Sequence, residues 1–288
     1  MNFLVTLAGK TDMFGSNHIL ALCISIVIIV AGSILSIKYL KIETMQKILL
    51  GVGIVTEAMK VITYTINSEP TLHGYLSKGD LPFHLCSIQI ILFFILVFSK
   101  NEKLKHTLHG FMVPTCLVGG VAALILATAS SRSMPMIGIQ YFTYHSAITV
   151  FAIYLLSGKA GEFTIKDYRN TLLMLVAALF LALYLNSILY YREFDATRFE
   201  ELVAADTPIS EAIEQSLKLQ NINFLYVINP PQSGLPYLAK YPIAGTEGWI
   251  VYLIHYAFLA IVVVSLTFIK PIIKEIKGLK EKLAKKAK

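Results

Sequence analysis

Charge is scarce in this chain. Only 15% of its residues are Asp, Glu, Lys or Arg, while 56% are hydrophobic and the mean hydropathy is +0.65. A water-soluble domain carries nearer ~25% charged residues, so the scarcity excludes an ordinary globular fold. Cysteine is scarcer still: Cys23, Cys86 and Cys116 share no metal-type spacing and all fall inside apolar runs. That pattern argues against a disulfide framework. A Gly-rich phosphate loop, a zincin motif, an internal repeat and β-barrel alternation are all missing. The net charge of +7 does not mark a nucleic-acid binder, because most of the excess lies between Lys270 and Lys288, where eight lysines face Glu275 and Glu281. A polybasic segment beside a membrane helix is an orientation signal and a contact for anionic inner-leaflet lipids.

What the chain has in abundance is apolar length. Seven runs of about twenty residues, at roughly 18–40, 45–67, 81–99, 107–129, 139–157, 168–190 and 249–270, are separated by polar breaks. Each matches what a helix needs to cross ~30 Å of hydrocarbon, and backbone cannot cross lipid unpaired, so the runs predict helices. The expected fold is all-α: one polytopic domain over 1–288 with seven transmembrane helices, 191–248 an extracytoplasmic loop or lid, and 271–288 a basic cytoplasmic tail. Positive charge borders alternate connections, as Lys38, Lys41 and Lys47, then Lys100, Lys103 and Lys105, then Lys159, Lys166 and Arg169, then the tail. Lys10, Lys78 and Arg132 supply little on the other side. The positive-inside rule then puts the N-terminus outside and the C-terminus in the cytoplasm. No small-residue cleavage site follows the first run, so it is expected to be retained.

The stretch DLPFHLCSIQIILFF, from Asp80 to Phe94, opens an apolar run with a polar cluster. Asp80 or Leu81 suits a helix cap and Pro82 the first turn, which predicts His84 and Cys86 within the first two turns. The positive end of a helix dipole favours a thiolate, and burial opposes it. Two readings of Cys86 stay open: a nucleophile, or a small apolar residue packed between helices.

With this sidedness, residues early in the odd-numbered helices and late in the even-numbered ones share the outer half. His18, His84, Cys86, His145 and His255 fall there, with Glu57, Lys60, Tyr64, Asn186 and Tyr190. Intramembrane ionisable residues are costly, so Glu57 and Lys60, three apart on one helix face, mark either a site or a self-neutralising pair that fixes packing. His73, His106 and His109 are expected at surfaces, away from this cluster. In the long sixth connection, Thr207 and Pro208 suggest a helix start. Ile209, Ala212, Ile213 and Leu217 form its apolar stripe against Glu211, Glu214 and Lys218. Pro230, Pro231, Pro236 and Pro242 then predict a folded-back loop, and Trp249, Tyr252 and Tyr256 an interfacial aromatic belt.

LPFHLCS at Leu81 to Ser87, the histidine His18 opening the first helix, Tyr144 with His145 on the fifth, and Asn223 with Phe224 before a proline-bearing stretch carry a resemblance. Together they resemble the YwaF-like bacterial integral membrane proteins, which are related to the transmembrane protein 164 acyltransferase family. The resemblance implies a bacterial plasma-membrane location, a phospholipid or lysophospholipid substrate, and a catalytic pair of Cys86 and His145, with no cofactor or metal. The sixth connection is longer here than that family leads one to expect. Chemistry agrees with the pair: Cys86 as nucleophile, His145 as base, and Gln89, on the cysteine's helix face, as an oxyanion donor. His18, Glu57, Lys60, His84, Tyr141, Asn223 and His255 are further candidates for substrate binding or support. Two rivals remain. One is a transporter or lipid-binding protein centred on Glu57, Lys60 and the histidines; the other is a zinc or copper site of His18, His84, His145 and His255, for which no spacing is diagnostic.

Overall fold

The computed structural model describes residues 14–66, 81–126, 135–228 and 248–286. Its helices, in chain order, begin with α1 Ser16–Tyr39, α2 Ile42–Ile66, α3 Ile88–Phe98, α4 Glu102–Leu126 and α5 Pro135–Tyr154, the last extended by a π turn over Leu155–Lys159. α6 Ile165–Ile188 leads into strand β1 Tyr190–Phe194, the short helices α7 Ala196–Ala204 and α8 Ile209–Ser216, and strand β2 Leu217–Asn221. A 3-10 turn at Phe224–Tyr226, α9 Trp249–Thr267 and α10 Ile269–Lys286 complete the described chain. Asp80, His73, Lys10, Lys78, Arg132 and the proline run from Pro230 to Pro242 lie outside the described residues.

Among the described residues five helices, α1, α4, α5 with its π turn, α6 and α9, are long and apolar enough to cross a membrane. Two of the seven expected runs fall short of that measure among these residues. α2 has 25 residues but carries Glu43, Lys47, Glu57 and Lys60. α3 has 11, which at ~1.5 Å per residue covers about half the hydrocarbon thickness. It is short because Leu81 to Ser87 forms successive turns instead of the helix expected from Pro82, and regular structure starts only after the N-cap Ser87.

α5 sits at the centre, packed on α1, α2 and α4. Neighbours surround its middle turns, and Ile148, Phe151, Ala152 and Tyr154 are fully enclosed. Phe93 of α3 meets Phe151 edge-on at 4.8 Å, and Leu96, Met112 and Leu155 fill the space beside them. On the outside, Val27, Val30 and Ile34 of α1, Leu173 and Phe180 of α6, and Ile250, Ile254 and Phe258 of α9 are exposed. Surfaces this apolar suit lipid rather than water.

Helix direction alternates as the charge pattern predicts. At the lysine-rich end Tyr154 Oη donates to Leu40 O (3.1 Å), His106 Nε2 meets Asp167 Oδ2 (3.2 Å), and the Phe163 and Phe268 rings touch. At the other end Tyr141 Oη donates to Ala123 O (2.8 Å). His109 is not a surface residue, and His106 is only partly exposed. His109 is buried, with the Gln46 amide nitrogen donating to its Nε2 at 2.7 Å, and His106 is half-buried against Asp167 and Phe163. Their positions at a helix start suggested exposure, but α2, α6 and the turn before α6 close over them.

Within the all-α fold, the sixth connection adds a small two-stranded ribbon. β1 and β2 pair antiparallel, Tyr190 opposite Asn221 and Phe194 opposite Leu217, and the hairpin of α7 and α8 caps the ribbon. α8 begins after Pro208 as expected, but Leu217 opens β2 instead of ending the helical stripe. Ala212 and Leu202 bury against each other's helices, leaving Ile209 and Ile213 exposed.

The approach of α4 to α5 is set by one glycine. A Cβ at Gly120 would collide with Thr149 Oγ1 and the His145 carbonyl oxygen, whereas one at Gly119 would meet nothing. Gly120→Ala should therefore lower the thermal midpoint of the purified protein by several degrees, since overpacking costs ~1–3 kcal/mol. Gly119→Ala, in the same helix, should leave the midpoint unchanged or raise it slightly.

Candidate functional site

Two irregular segments, Leu81 to Ser87 and Ile222 to Ile228, meet inside the bundle. Phe83 contacts Phe224 edge-on at 5.5 Å, and the His84 ring lies 5.2 Å from Phe224 and 5.6 Å from Tyr226. Phe224, Leu225 and Val227 are buried. Non-helical backbone in such surroundings needs partners for every polar group. Side chains supply them in succession. Asn186 takes Phe224 at both ends, its Oδ1 accepting from the backbone N–H (2.8 Å) and its Nδ2 donating to the carbonyl (3.1 Å). Tyr256 Oη then donates to Leu225 O (2.9 Å), Tyr252 Oη to Tyr226 O (2.6 Å) and Trp249 Nε1 to Val227 O (3.0 Å). Asn223 Oδ1 accepts from Ile228 N at 3.0 Å. Leu225 and Tyr226 hold φ of 56° and 55°, a left-handed conformation costing ~1 kcal/mol or more per non-glycine residue. Trp249, Tyr252 and Tyr256, expected as an interfacial belt, are thus the donors that hold this turn.

Cys86 lies one residue before the N-cap of α3, half-buried. Its own carbonyl accepts from Tyr144 Oη at 2.8 Å and from Gln89 N at 3.3 Å. Ser87 Oγ is 3.9 Å from the sulfur, and the backbone N–H groups of Cys86 and Ser87 also face it. Gln89 does share the region, but its amide is committed: Nε2 donates to Leu85 O (2.8 Å) and to Thr115 Oγ1 (3.0 Å), while its fully buried Oε1 has no partner. Both amide hydrogens are used, so no donor is left for an oxyanion. Glu57 and Lys60 form an ion pair on one face of α2, as their spacing predicts, close enough to Tyr144 and Cys86 to interact electrostatically.

His18 and His145 spend ring nitrogens on different backbone carbonyls. His18 is wholly enclosed: its Nδ1 accepts from Phe14 N (2.9 Å), so Nε2 carries the proton that goes to Leu124 O (2.8 Å). With both nitrogens engaged, it pins the start of α1 to the end of α4. His145 Nδ1 donates to Tyr141 O at 2.7 Å, which leaves the lone pair on Nε2. Its ring stands 4.2 Å from Tyr141 and 5.8 Å from Tyr144. Among the described residues no hydrogen bond links it to Cys86. His84 belongs to the aromatic contact with the 3-10 turn, and His255 is exposed on α9. No group of three or more His, Cys, Asp or Glu suited to a metal occurs among the described residues.

A small, open apolar depression borders the cysteine turn. Leu85 and Ile88, which bracket Cys86, line it with Phe83, Leu225 and the α6 residues Ala178 and Ala182. Tyr144 and Asn186 are what the sequence reading undervalued: nothing in local pattern separates a buried amide or phenol that holds a distant carbonyl from one that only packs.

The model of the TMEM164 family matches residues 13–268. No curated protein and no solved structure matches the chain. Removing the phenol that holds the cysteine turn should loosen it: Tyr144→Phe is expected to raise the alkylation rate of Cys86 several-fold, read by mass spectrometry. Fully buried Cys116 should stay unlabelled until the protein is denatured.

Proposed function

This chain belongs to the TMEM164 family and is an integral membrane protein, and from that premise we propose that it moves an acyl chain between lipids through a thioester on Cys86. The observation that carries the reading is the Tyr144 to Cys86 hydrogen bond, which ties the cysteine turn to the helix bearing His145. His145 keeps its Nε2 lone pair for a proton, and the side chains beside Leu85 and Ile88 present an apolar surface of the kind an acyl chain contacts.

The chemistry runs in two halves. Cys86 Sγ gives its proton to His145 Nε2 as it attacks the ester carbonyl of a phospholipid, forming the C–S bond. The tetrahedral adduct collapses with cleavage of the C–O bond, and His145 returns the proton to the departing lysophospholipid oxygen. An acceptor hydroxyl, of another lyso-lipid or of water, then loses its proton to His145 and displaces the thiol, which regains it. Negative charge on the adduct would meet the Ser87 hydroxyl and the N–H groups of Cys86 and Ser87, in place of the committed Gln89. Closure of the sulfur on Nε2 accompanies substrate binding, as catalytic hydrogen bonds often tighten only then. Under the positive-inside rule the cysteine faces the outer half of a bacterial plasma membrane, away from cytosolic coenzyme A thioesters, so the donor is a phospholipid. Glu57 and Lys60 neutralise each other, which supports a structural role over proton-linked transport.

Incubation with phospholipid labelled in its acyl chain should yield a hydroxylamine-sensitive adduct that Cys86→Ala abolishes. His145→Asn should slow turnover by ~10²- to 10⁴-fold. An adduct that persists in Cys86→Ala would overturn the proposal; uptake into vesicles that Glu57→Gln stops and Cys86→Ser leaves intact would favour a transporter.

A further inference from the structure

The C-terminal lysines do not form a plain charged tail. They stand on α10, which the sequence pattern makes two-faced. Ile269, Ile273, Ile276 and Leu279 fall within about 120° of the helix circumference at 100° per residue, and all four are exposed. Lys270, Lys274 and Lys277 run along the neighbouring face, and α10 as a whole has seven lysines against Glu275 and Glu281. The start of the helix is fixed where α9 ends: Phe268 is buried, its ring 5.7 Å from Phe163 and 5.9 Å from Tyr168. Leu266 of α9 and Ile269 of α10 are both exposed, so apolar side chains stand on either side of the junction.

We propose that α10 is an interfacial helix lying on the bilayer beside the end of α9, with its aliphatic stripe among the acyl chains and its lysines on the phosphates of anionic lipids. Four uncovered aliphatic side chains disfavour water, and lysines flanking the stripe would repel one another if a second copy covered it. A surface that is apolar below and anionic above satisfies both requirements. Long lysine stems reach upward from such a helix to the phosphate level.

The test is amide hydrogen exchange of the full chain in lipid nanodiscs. Exchange within α10 should be much slower in discs containing phosphatidylglycerol than in discs of phosphatidylcholine alone. Replacing Lys270, Lys277, Lys280 and Lys282 by Gln should remove that difference, by about fivefold per lysine. Ile276→Asn, which keeps every lysine, should also weaken protection. Equal exchange in the two lipids would overturn the proposal, as would protection that survives loss of the lysines. Protection that depends on two copies per disc rather than on anionic lipid would overturn it in favour of self-association.

Discussion

Buried backbone must be hydrogen-bonded, and the arrangement around Phe224 depends on that requirement more than on any other. From Ile222 to Ile228 the chain is irregular, with Phe224, Leu225 and Val227 buried, and an unmade hydrogen bond there costs ~1–3 kcal/mol. Asn186, Tyr256, Tyr252 and Trp249 meet four successive carbonyls from two different helices. Those bonds fix α9 against α6, and they hold the left-handed pair Leu225 and Tyr226 in place. The turn in turn presents Phe224 and Tyr226 to His84, so the geometry of the cysteine segment rests on donors far away in sequence.

The same rule explains why the helix of the LPFHLCS segment starts late. A helix from Pro82 would have drawn the Cys86 carbonyl into the regular ladder with a position four residues on. Here that carbonyl accepts from the nearer Gln89 amide and from the Tyr144 phenol. The segment is therefore a short turn leaning on α5, with α3 reduced to the part that fills the core through Phe93 and Leu96. α5 carries two kinds of residue on adjacent positions: Tyr144, which reaches the cysteine turn, and His145, which turns toward Tyr141 and the close contact with α4 at Gly120. A 100° step along one helix separates the two tasks.

Membrane insertion, helix alternation and the ion pair of Glu57 with Lys60 were legible from residue order, because each depends on local composition or on a spacing within a single helix. The start of α8 after Pro208 was legible for the same reason. The different surroundings of His18, His84, His145 and His255 were not. Depth along a helix can be counted from sequence, but rotation about its axis cannot, and rotation sends His255 outward and His18 onto the Leu124 carbonyl. His109 shows the converse, since a residue near a helix start became buried once α2 closed over it.

Hydrophobic length and the placement of lysines by themselves determined that this is a helical membrane protein whose helices alternate in direction, because the cost of unpaired backbone in lipid leaves few other solutions. Only the tertiary structure decided which polar atoms meet. Gln89 spends its hydrogens on Leu85 and Thr115, Asn186 grips Phe224, and Tyr144 holds Cys86, because a hydrogen bond between distant positions depends on helix rotation and packing that no local pattern encodes.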